Sequence, residues 1–348
     1  MQSNDLNEIV VHYAGSKAYG TDLPTSDTDI RGVFCAYPVN IRTPFFPVRE
    51  VTLQDEEDGK LYELSNFIHL YTQCNPNIVE TLWVDESDII SSSKAYKTLT
   101  QYREALLSAK VAFTFSGFAV SQLKRIKGHN KWINNPQSKE PSKHGCFLKL
   151  VQNFSDEKLL PRDFTLNHLK GFGIVHYGSG IFGAVEGGGV DSIVNNDFNI
   201  SAKQVDFCDR DKVKKPIFIF KYLADEYRAS KEKHHNYWTW KNNRNIVRSS
   251  LEEEFGYDTK HAMHLVRLLR MGEEILSGKG VIVKRPDAKE LLDIRKGSWS
   301  YEELVDYAET KDELIRGELY NNTSLPKTPN LKLAAKVVMA AQDICWGQ

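Results

Sequence analysis

Residues 13–31 read YAGSKAYGTDLPTSDTDIR and decide what the N-terminal part of the chain is expected to be. The apolar segment 8–14 predicts a buried strand, and this strand ends at Gly15 and Ser16. A glycine at that point allows the backbone to approach a phosphate group closely. Ser16 adds a hydroxyl and a backbone N–H where a short helix is expected to begin, which favours anion binding. The segment therefore predicts a phosphate-binding turn.

Two carboxylates follow this turn. Ten residues separate Ser16 from Asp27, and Asp29 begins an apolar segment that predicts a second strand. If the strand includes both aspartates, their side chains lie on one face of it. Clustered carboxylate oxygens are the ligands that Mg²⁺ prefers, and two such ions about 3.5–4 Å apart can neutralise a triphosphate and activate a hydroxyl. We therefore expect Asp27 and Asp29 to be metal ligands.

A third acidic residue and one cation complete the predicted site. Glu63 lies in a predicted strand between Tyr62 and Leu64, where a charged side chain needs an explanation. We predict that Glu63 is the third metal ligand and helps to deprotonate the acceptor hydroxyl. Arg31 directly follows the acidic pair, where it can bond a carboxylate or a phosphate.

Each of these motifs also has other interpretations. An Asp-x-Asp pair alone is common in turns, and a lone Gly-Ser pair carries no information. The chain has no Gly-x4-Gly-Lys-Ser/Thr sequence, and GSKAYG lacks the G-x-G-x-x-G pattern, so P-loop and Rossmann sites are not predicted. The order of strand, Gly-Ser, ten-residue gap and Asp-x-Asp favours the metal and triphosphate site.

The pattern of elements predicts an α+β protein. Strands are expected over 8–14, 29–37, 49–54 and 60–64, with helices after the last of them, so residues 1–110 form a small mixed-sheet domain. Ser65 is expected to cap the first of these helices. Residues 111–348 predict a mostly helical domain with a β-rich insertion at about 160–215, where glycines interrupt short β-prone segments.

Composition limits the class of protein. The 348 residues are 41% hydrophobic with a formal net charge of −1, so two or three folded domains are expected and no overall basic field marks a nucleic-acid partner. The start of the chain does not resemble a secretory signal, and no stretch approaches 18 apolar residues. We therefore predict a cytoplasmic protein without a membrane partner. The five cysteines lack metal-ligand spacing and are expected to be reduced packing residues.

The longer motif GSKAYGTDLPTSDTDIRGVF (15–34) resembles the signature of the polymerase-β nucleotidyltransferase superfamily. Within that superfamily it is similar to the RlaP family, predicted nucleotidyltransferases associated with RNA repair and often found in phages and bacteria. Thr28 stands where an apolar residue is usual. The resemblance continues in the segments NPNIVETLW (75–83), YWTWKNNRN (237–245), GYDTKHAMHLVRLLRMGEEIL (256–276) and RPDAKELLDIRKGSWSYEEL (285–304). It implies an N-terminal catalytic fold with Asp27 and Asp29 as metal ligands.

A basic helical face is the predicted partner of this site. Lys260, His264 and Arg267 share one face of a predicted helix over 260–276, and we expect them to neutralise the phosphates of a nucleotide. The simpler interpretation is a solvated face whose cations pair with a nearby acid. His261 and His264, three residues apart, could also bind a metal, although the sequence offers no third ligand.

Two further segments are candidates for RNA contacts. Trp238 and Trp240 are interleaved with basic residues, a mixture that can stack bases and hold phosphates, although core tryptophans beside an exposed basic edge are an equal alternative. A second basic strip lies on a predicted helix before residue 132, where a solvated face is the simpler account. The basic residues of the two segments are Lys241, Arg244 and Arg248, and Lys124, Lys127 and Lys131.

Together these features predict a nucleotidyltransferase of the EC 2.7.7 type that depends on Mg²⁺ or Mn²⁺. The expected donor is an NTP such as ATP, and the expected acceptor is the end of an RNA, with tRNA as one candidate. One alternative is a toxin-like enzyme that nucleotidylates a protein or a tRNA. The other is a non-catalytic protein that uses the same fold to bind a nucleotide or RNA.

Overall fold

The computed structural model describes residues 7–53, 59–141, 148–154, 172–186, 216–243 and 246–347. The chain forms two compact units, one from Met1–Asn134 with Ile246–Gln348 and the other from Asn135–Asn245. This division does not follow the boundary predicted near residue 110. The reason is that buried side chains between Ile9 and Ile126 and between Tyr257 and Ala341 form a single hydrophobic core.

A five-stranded mixed sheet lies at the N-terminal end of the first unit. Strand β1 pairs antiparallel with β2 and β5, β2 pairs parallel with β4, and β3 pairs antiparallel with β4, giving the order β3-β4-β2-β1-β5. This confirms the predicted mixed sheet. The strands are β1 (Asn7–Ala14), β2 (Asp29–Cys35), β3 (Glu50–Leu53), β4 (Gly59–Glu63) and β5 (Ile89–Ser92).

Helices make up most of the rest of this unit. Those between and after the strands are α1 (Gly15–Tyr19), α2 (Pro38–Arg42), α3 (Leu64–Thr72), α4 (Pro76–Val79), α5 (Lys94–Gln101) and α6 (Val111–Asn134). Helix α7 (Ala224–Asn242) belongs to the second unit, and the first unit continues with α8 (Ile246–Phe255), α9 (Thr259–Leu276), α10 (Ala288–Arg295), α11 (Tyr301–Leu314), α12 (Tyr320–Asn322) and α13 (Leu331–Trp346). No helix in these described ranges combines the length and apolar character needed to cross a membrane.

The two faces of β2 have different surroundings, as alternation along a strand requires. Phe34 faces a small cluster with Val11 and Leu61. Val33 and Cys35 face the main core on the other side of the sheet. Asp29 and Arg31 have the same parity as these two core residues but are only half-buried, because they lie where the strand begins. The polar start of this strand face is where a cavity opens.

The second unit contains an antiparallel four-stranded sheet in the order β6-β9-β8-β7. The predicted β-rich insertion at 160–215 contains its hairpin β7–β8, and the remainder of that range lies outside the described residues. Two strands of the sheet lie outside the predicted range, since they flank it in sequence. The strands are β6 (Leu148–Asn153), β7 (Phe172–Gly178), β8 (Ile181–Glu186) and β9 (Phe218–Tyr222).

Candidate active site

A cavity of about 250 Å³ lies at the start of β2. Three groups of residues line it: the ends of β1 and β2 with α1, the segment around α4, and the facing sides of α6 and α9. The carboxylates among its lining residues are Asp29 and Glu80. The polar or aromatic lining residues are His12, Tyr19, Asp29, Arg31, Asn77, Glu80, Phe118, Gln122, His264 and Arg267.

Gly15 and Asp29 are in close contact at the mouth of this cavity. Gly15 begins α1 with φ +60°, a backbone conformation that L-residues with a side chain rarely adopt. A Cβ atom added at Gly15 would lie 2.1 Å from Oδ2 of Asp29. Only glycine therefore leaves room for this carboxylate beside the turn. The predicted glycine turn and one predicted metal ligand are thus adjacent in space.

Asp27 has a different setting from the predicted one. Strand β2 begins at Asp29, so Asp27 lies in the preceding loop and is exposed. The condition for placing both aspartates on one face of a strand is therefore not met, and Asp27 as a metal ligand stays a prediction. The loop is held to α1 because Nζ of Lys17 donates a 2.6 Å hydrogen bond to Oγ1 of Thr28. This bond also gives a polar residue at position 28 a function between the two aspartates.

Glu63 is not part of this site. The parallel register pairs Glu63 with Phe34, five residues along β2 from Asp29, which is about 16 Å at 3.3 Å per residue. Glu63 also has the parity of Leu61, which faces the small cluster on the other side of the sheet. Its Oε2 atom accepts hydrogen bonds from the backbone N–H groups of Ser65 (2.7 Å) and Asn66 (3.1 Å).

Glu63 therefore acts as the N-cap of α3, and the predicted cap at Ser65 is wrong. Burial raises the pKa of the Glu63 carboxyl, and the two backbone N–H groups oppose that rise. On the other face of β4, Lys60 lies beside Arg31 in the β2–β4 register. Lys60 is a cation and forms a 2.8 Å ion pair with Glu50. The structure thus places no carboxylate of β4 next to Asp29 within the described residues.

Arg267 lines the cavity but is already paired. Its Nη1 atom donates to Oε1 of Glu80 at 2.6 Å, and its guanidinium lies 3.7 Å from the ring centroid of Tyr19. The hydroxyl of Tyr19 donates to the other oxygen of Glu80, also at 2.6 Å. Burial opposes the charge of Arg267, yet Tyr19 and Glu80 outweigh it, so the pKa of Arg267 is raised. Arg267, which the sequence predicts to neutralise phosphates, is thus a buried cation with an acidic partner.

The other two residues of the predicted basic face, His264 and Lys260, have different surroundings. His264 lines the cavity, and burial followed by the nearby charge of Arg267 holds its pKa well below 6.5. His264 is therefore neutral at pH 7 and can offer a hydrogen bond but no charge. Lys260 is not among the lining residues of the cavity. The three residues therefore do not form a single cationic face at the cavity, because Arg267 is buried and paired, His264 is neutral, and Lys260 is not among the lining residues.

His12 and Arg31 lie opposite each other in the β1–β2 register. Arg31 is half-buried and donates to the hydroxyl of Tyr62 at 3.1 Å. Burial lowers the pKa of His12 to about 4. The ring nitrogens of His12 bond the carbonyl oxygen of Tyr13 (2.7 Å) and Oγ1 of Thr81 (3.3 Å). Arg31 therefore supplies the cation beside Asp29, while His12 is a neutral wall residue.

Two polar atoms of cavity-lining residues lack a hydrogen-bond partner among the described residues. Oε1 of Gln122 and Nε of Arg267 are buried and have no hydrogen-bond partner in the described part of the chain. Buried polar atoms without a partner are rare in folded proteins, and a bound ligand is one way to satisfy them. The sequence did not indicate Tyr19, Glu80 or Gln122, because each depends on contacts between segments distant in the chain.

The predicted RNA-binding residues are distributed over both units. On α6, Lys124 is exposed, and Lys127 forms a 2.8 Å ion pair with Glu309. On α7 of the second unit, Nζ of Lys241 lies 5.2 Å from the ring centroid of Trp238, whose Nε1 donates to the carbonyl oxygen of Gln137. Arg244 and the side chain of Arg248 lie outside the described residues.

The mixed sheet followed by a mostly helical region is consistent with a polymerase-β-like domain. Residues 3–139 match the model of the RlaP family, whose description is RNA repair pathway DNA polymerase beta family. Residues 3–139 are therefore similar to that family, which confirms the resemblance inferred from the motif for this part of the chain. No curated protein and no solved structure matches the chain.

Proposed function

We propose that this chain transfers a nucleoside monophosphate from an NTP to the hydroxyl of an RNA end. The observation that carries the proposal is the cavity in which Gly15, Asp29 and Arg31 meet, within a segment that matches an RNA-repair family of polymerase-β type. Asp27 and Asp29 would hold Mg²⁺ or Mn²⁺, which neutralises charge on the triphosphate when bound. The Gly15–Ser16 backbone contacts the phosphates, and Arg31 adds a positive charge beside them.

In this reaction the acceptor oxygen bonds the α-phosphorus, and the bond from that phosphorus to the β-phosphate oxygen breaks. Pyrophosphate leaves, and the proton of the hydroxyl passes to one of the two aspartates. Glu63 has no part in this step, because it caps α3 at the other end of β2. His264 and the free Nε atom of Arg267 contribute hydrogen bonds without a full additional charge.

The acceptor is tested by following the label. The purified chain is incubated with each α-labelled NTP, Mg²⁺ or Mn²⁺, and either total RNA or total protein. We expect label in the RNA pool that nuclease treatment releases. Label in protein instead would replace RNA as the acceptor, and binding of all four NTPs without any transfer would favour a non-catalytic binding protein.

The cavity wall formed by α6 suggests which base is accepted. Phe118 lines the cavity and is 37% exposed, so its ring is open to stack against a base. Gln122, one turn further along α6, has a buried amide oxygen without a partner. A glutamine amide can both accept from and donate to the edge of adenine. We therefore propose that ATP is the preferred donor.

Replacing Gln122 tests this preference. We expect Gln122→Ala to reduce the ratio of kcat/KM for ATP to that for GTP by about tenfold, since a bidentate amide–adenine contact contributes about 1–3 kcal/mol of discrimination. Ser121→Ala is the matched control, because Ser121 is the exposed neighbour on the same helix. An unchanged ratio across the four NTPs in Gln122→Ala would contradict the role of Gln122 and leave the transfer reaction itself intact.

A further inference from the structure

A second group of chemically reactive side chains lies where α6, α8 and α9 meet in the first unit. It comprises His129 of α6, Glu252 of α8, Asp258 at the start of α9, and His261 in the first turn of α9. The residues Glu252 and Asp258 are both only 4% exposed. Buried carboxylates in proteins are paired with cations or coordinate metals. The group is separate from the residues that line the cavity.

The distances within this group suit one metal ion. Nδ1 of His129 lies 3.9 Å from Oδ2 of Asp258 and 4.0 Å from Oε1 of Glu252. Nε2 of His261 lies 3.5 Å from the same Oδ2 atom. One ligand atom each from His129, Glu252 and Asp258 fall within 4.8 Å of one another. Zinc bonds of about 2.0–2.2 Å in a tetrahedron place ligand atoms about 3.3–3.6 Å apart. The three ligand atoms would therefore move closer together around an ion, with His261, which lies near Asp258, as the fourth ligand.

Supporting contacts hold these ligands in place. Oδ1 of Asp258 accepts the backbone N–H of His261 at 3.0 Å as the N-cap of α9, and the other oxygen remains directed at both imidazoles. Nδ2 of Asn130 donates to the carbonyl oxygen of Gly256 at 3.0 Å, which fixes the turn between α8 and α9 to α6. The ring of His129 stacks on Trp132. Such second-layer contacts orient metal ligands in known sites.

We propose that His129, Glu252, Asp258 and His261 bind one Zn²⁺ ion. Two imidazole nitrogens with two carboxylate oxygens form a ligand set that zinc accepts, whereas Mg²⁺ prefers oxygen ligands and water. The four ligands come from three helices, so the ion is a cross-link of the first unit. The sequence suggested His261 with His264, but His264 faces the cavity, and the other ligands lie at distant positions in the chain.

The proposed zinc site is close to the cavity along two helices. His264 follows His261 by three residues, which is about 4.5 Å along α9, and Gln122 precedes His129 by seven residues, which is about 10.5 Å along α6. Zinc would therefore fix the α6–α9 pair that forms one wall of the cavity. Its role is structural, and it does not depend on whether the cavity performs nucleotide transfer.

Elemental analysis tests the proposal on the full chain. Protein is stripped with EDTA, incubated with Zn²⁺, and dialysed. We expect about one zinc per wild-type chain, a higher Tm with Zn²⁺ than with EDTA, and visible absorption bands when Co²⁺ replaces Zn²⁺. His129→Gln and Glu252→Gln are expected to lose the zinc, while the exposed control His69→Gln retains it.

Two comparisons can refute the proposed zinc site. An Asp27→Asn/Asp29→Asn double variant is expected to retain the zinc, which separates this site from the cavity carboxylates. If wild-type protein retains no zinc and its Tm is the same with Zn²⁺ and EDTA, the cluster is a set of imidazole–carboxylate ion pairs and the proposal is wrong. Equal zinc content in wild type and both ligand variants refutes it too. The wild-type comparison remains decisive if a variant does not fold.

Discussion

Asp29→Asn is expected to reduce nucleotide transfer by about a thousandfold or more while the protein stays folded. The substitution keeps the size of the side chain that contacts Gly15 and removes its charge. A metal held by carboxylates contributes several kcal/mol to stabilising charge on a transferring phosphoryl group, and each 1.36 kcal/mol corresponds to a factor of ten in rate. The measurement is the initial rate of label transfer, with circular dichroism and urea unfolding to verify the fold.

Glu63→Gln is the matched control for this variant. Both changes convert a buried or half-buried carboxylate of the same sheet into an amide, but Glu63 lies at the opposite end of β2 and caps α3. We expect Glu63→Gln to lower the free energy of unfolding by about 1 kcal/mol and to leave transfer within a factor of two or so of wild type. A folded Glu63→Gln protein without transfer, or an active Asp29→Asn protein, would contradict this assignment of the site.

The local part of the site could be predicted from the sequence, because it depends on neighbours in the chain. Gly15 directly follows β1 and Asp29 begins β2, and the antiparallel register of these two strands pairs Ala14 with Asp29, which brings the two residues together. Asp27 shows the limit of that reasoning: β2 begins at Asp29, as predicted, so Asp27 lies in the preceding loop, where strand alternation does not fix the direction of its side chain.

The position of Glu63 differs from the prediction for another reason. Its strand pairs with β2 in parallel, and the register of that pairing places Glu63 beside Phe34 and not beside Asp29. A single sequence shows the alternation of a strand but not its register against a partner joined by a long connection. An isolated acid between apolar residues therefore suggested a metal ligand, when its actual partners are the first N–H groups of the next helix.

Long-range partners explain the other differences. Arg267 has an amphipathic setting that suggests an exposed cation, but its ion-pair partner Glu80 is 187 residues away in the chain. The cluster of His129, Glu252 and Asp258 likewise joins three helices whose packing no local pattern reveals. In each case the contacts depend on the packing of α9 against the N-terminal half, which no local sequence pattern shows. The same packing explains why the observed units differ from the predicted domain boundary near residue 110.

Arg267→Met is expected to lower the free energy of unfolding by about 3–5 kcal/mol. The change replaces a buried side chain by an apolar one of similar length and leaves Glu80 without its cation. Removing one member of a buried ion pair has this large effect because the remaining charge stays desolvated. Glu80→Gln is expected to act in the same direction, since it leaves the Arg267 charge in the wall with only a neutral amide and the Tyr19 ring nearby.

The double variant decides whether the pair is a structural unit. If Arg267 and Glu80 stabilise each other, combining Arg267→Met with Glu80→Gln costs less than the sum of the two single changes, by about 1–3 kcal/mol in urea unfolding. If Arg267 is instead mainly a phosphate ligand, Arg267→Met raises the KM for the NTP and changes the free energy of unfolding by less than about 1 kcal/mol, as at an exposed ion pair. In Arg267, Nη1 donates to Glu80, and Nε has no partner in the described part of the chain. We therefore expect Arg267→Met to cause both a large loss of stability and a smaller increase in the KM for the NTP. Only the second of these effects depends on a nucleotide, so stability measured without ligand separates the structural role of Arg267 from its proposed contact with the substrate.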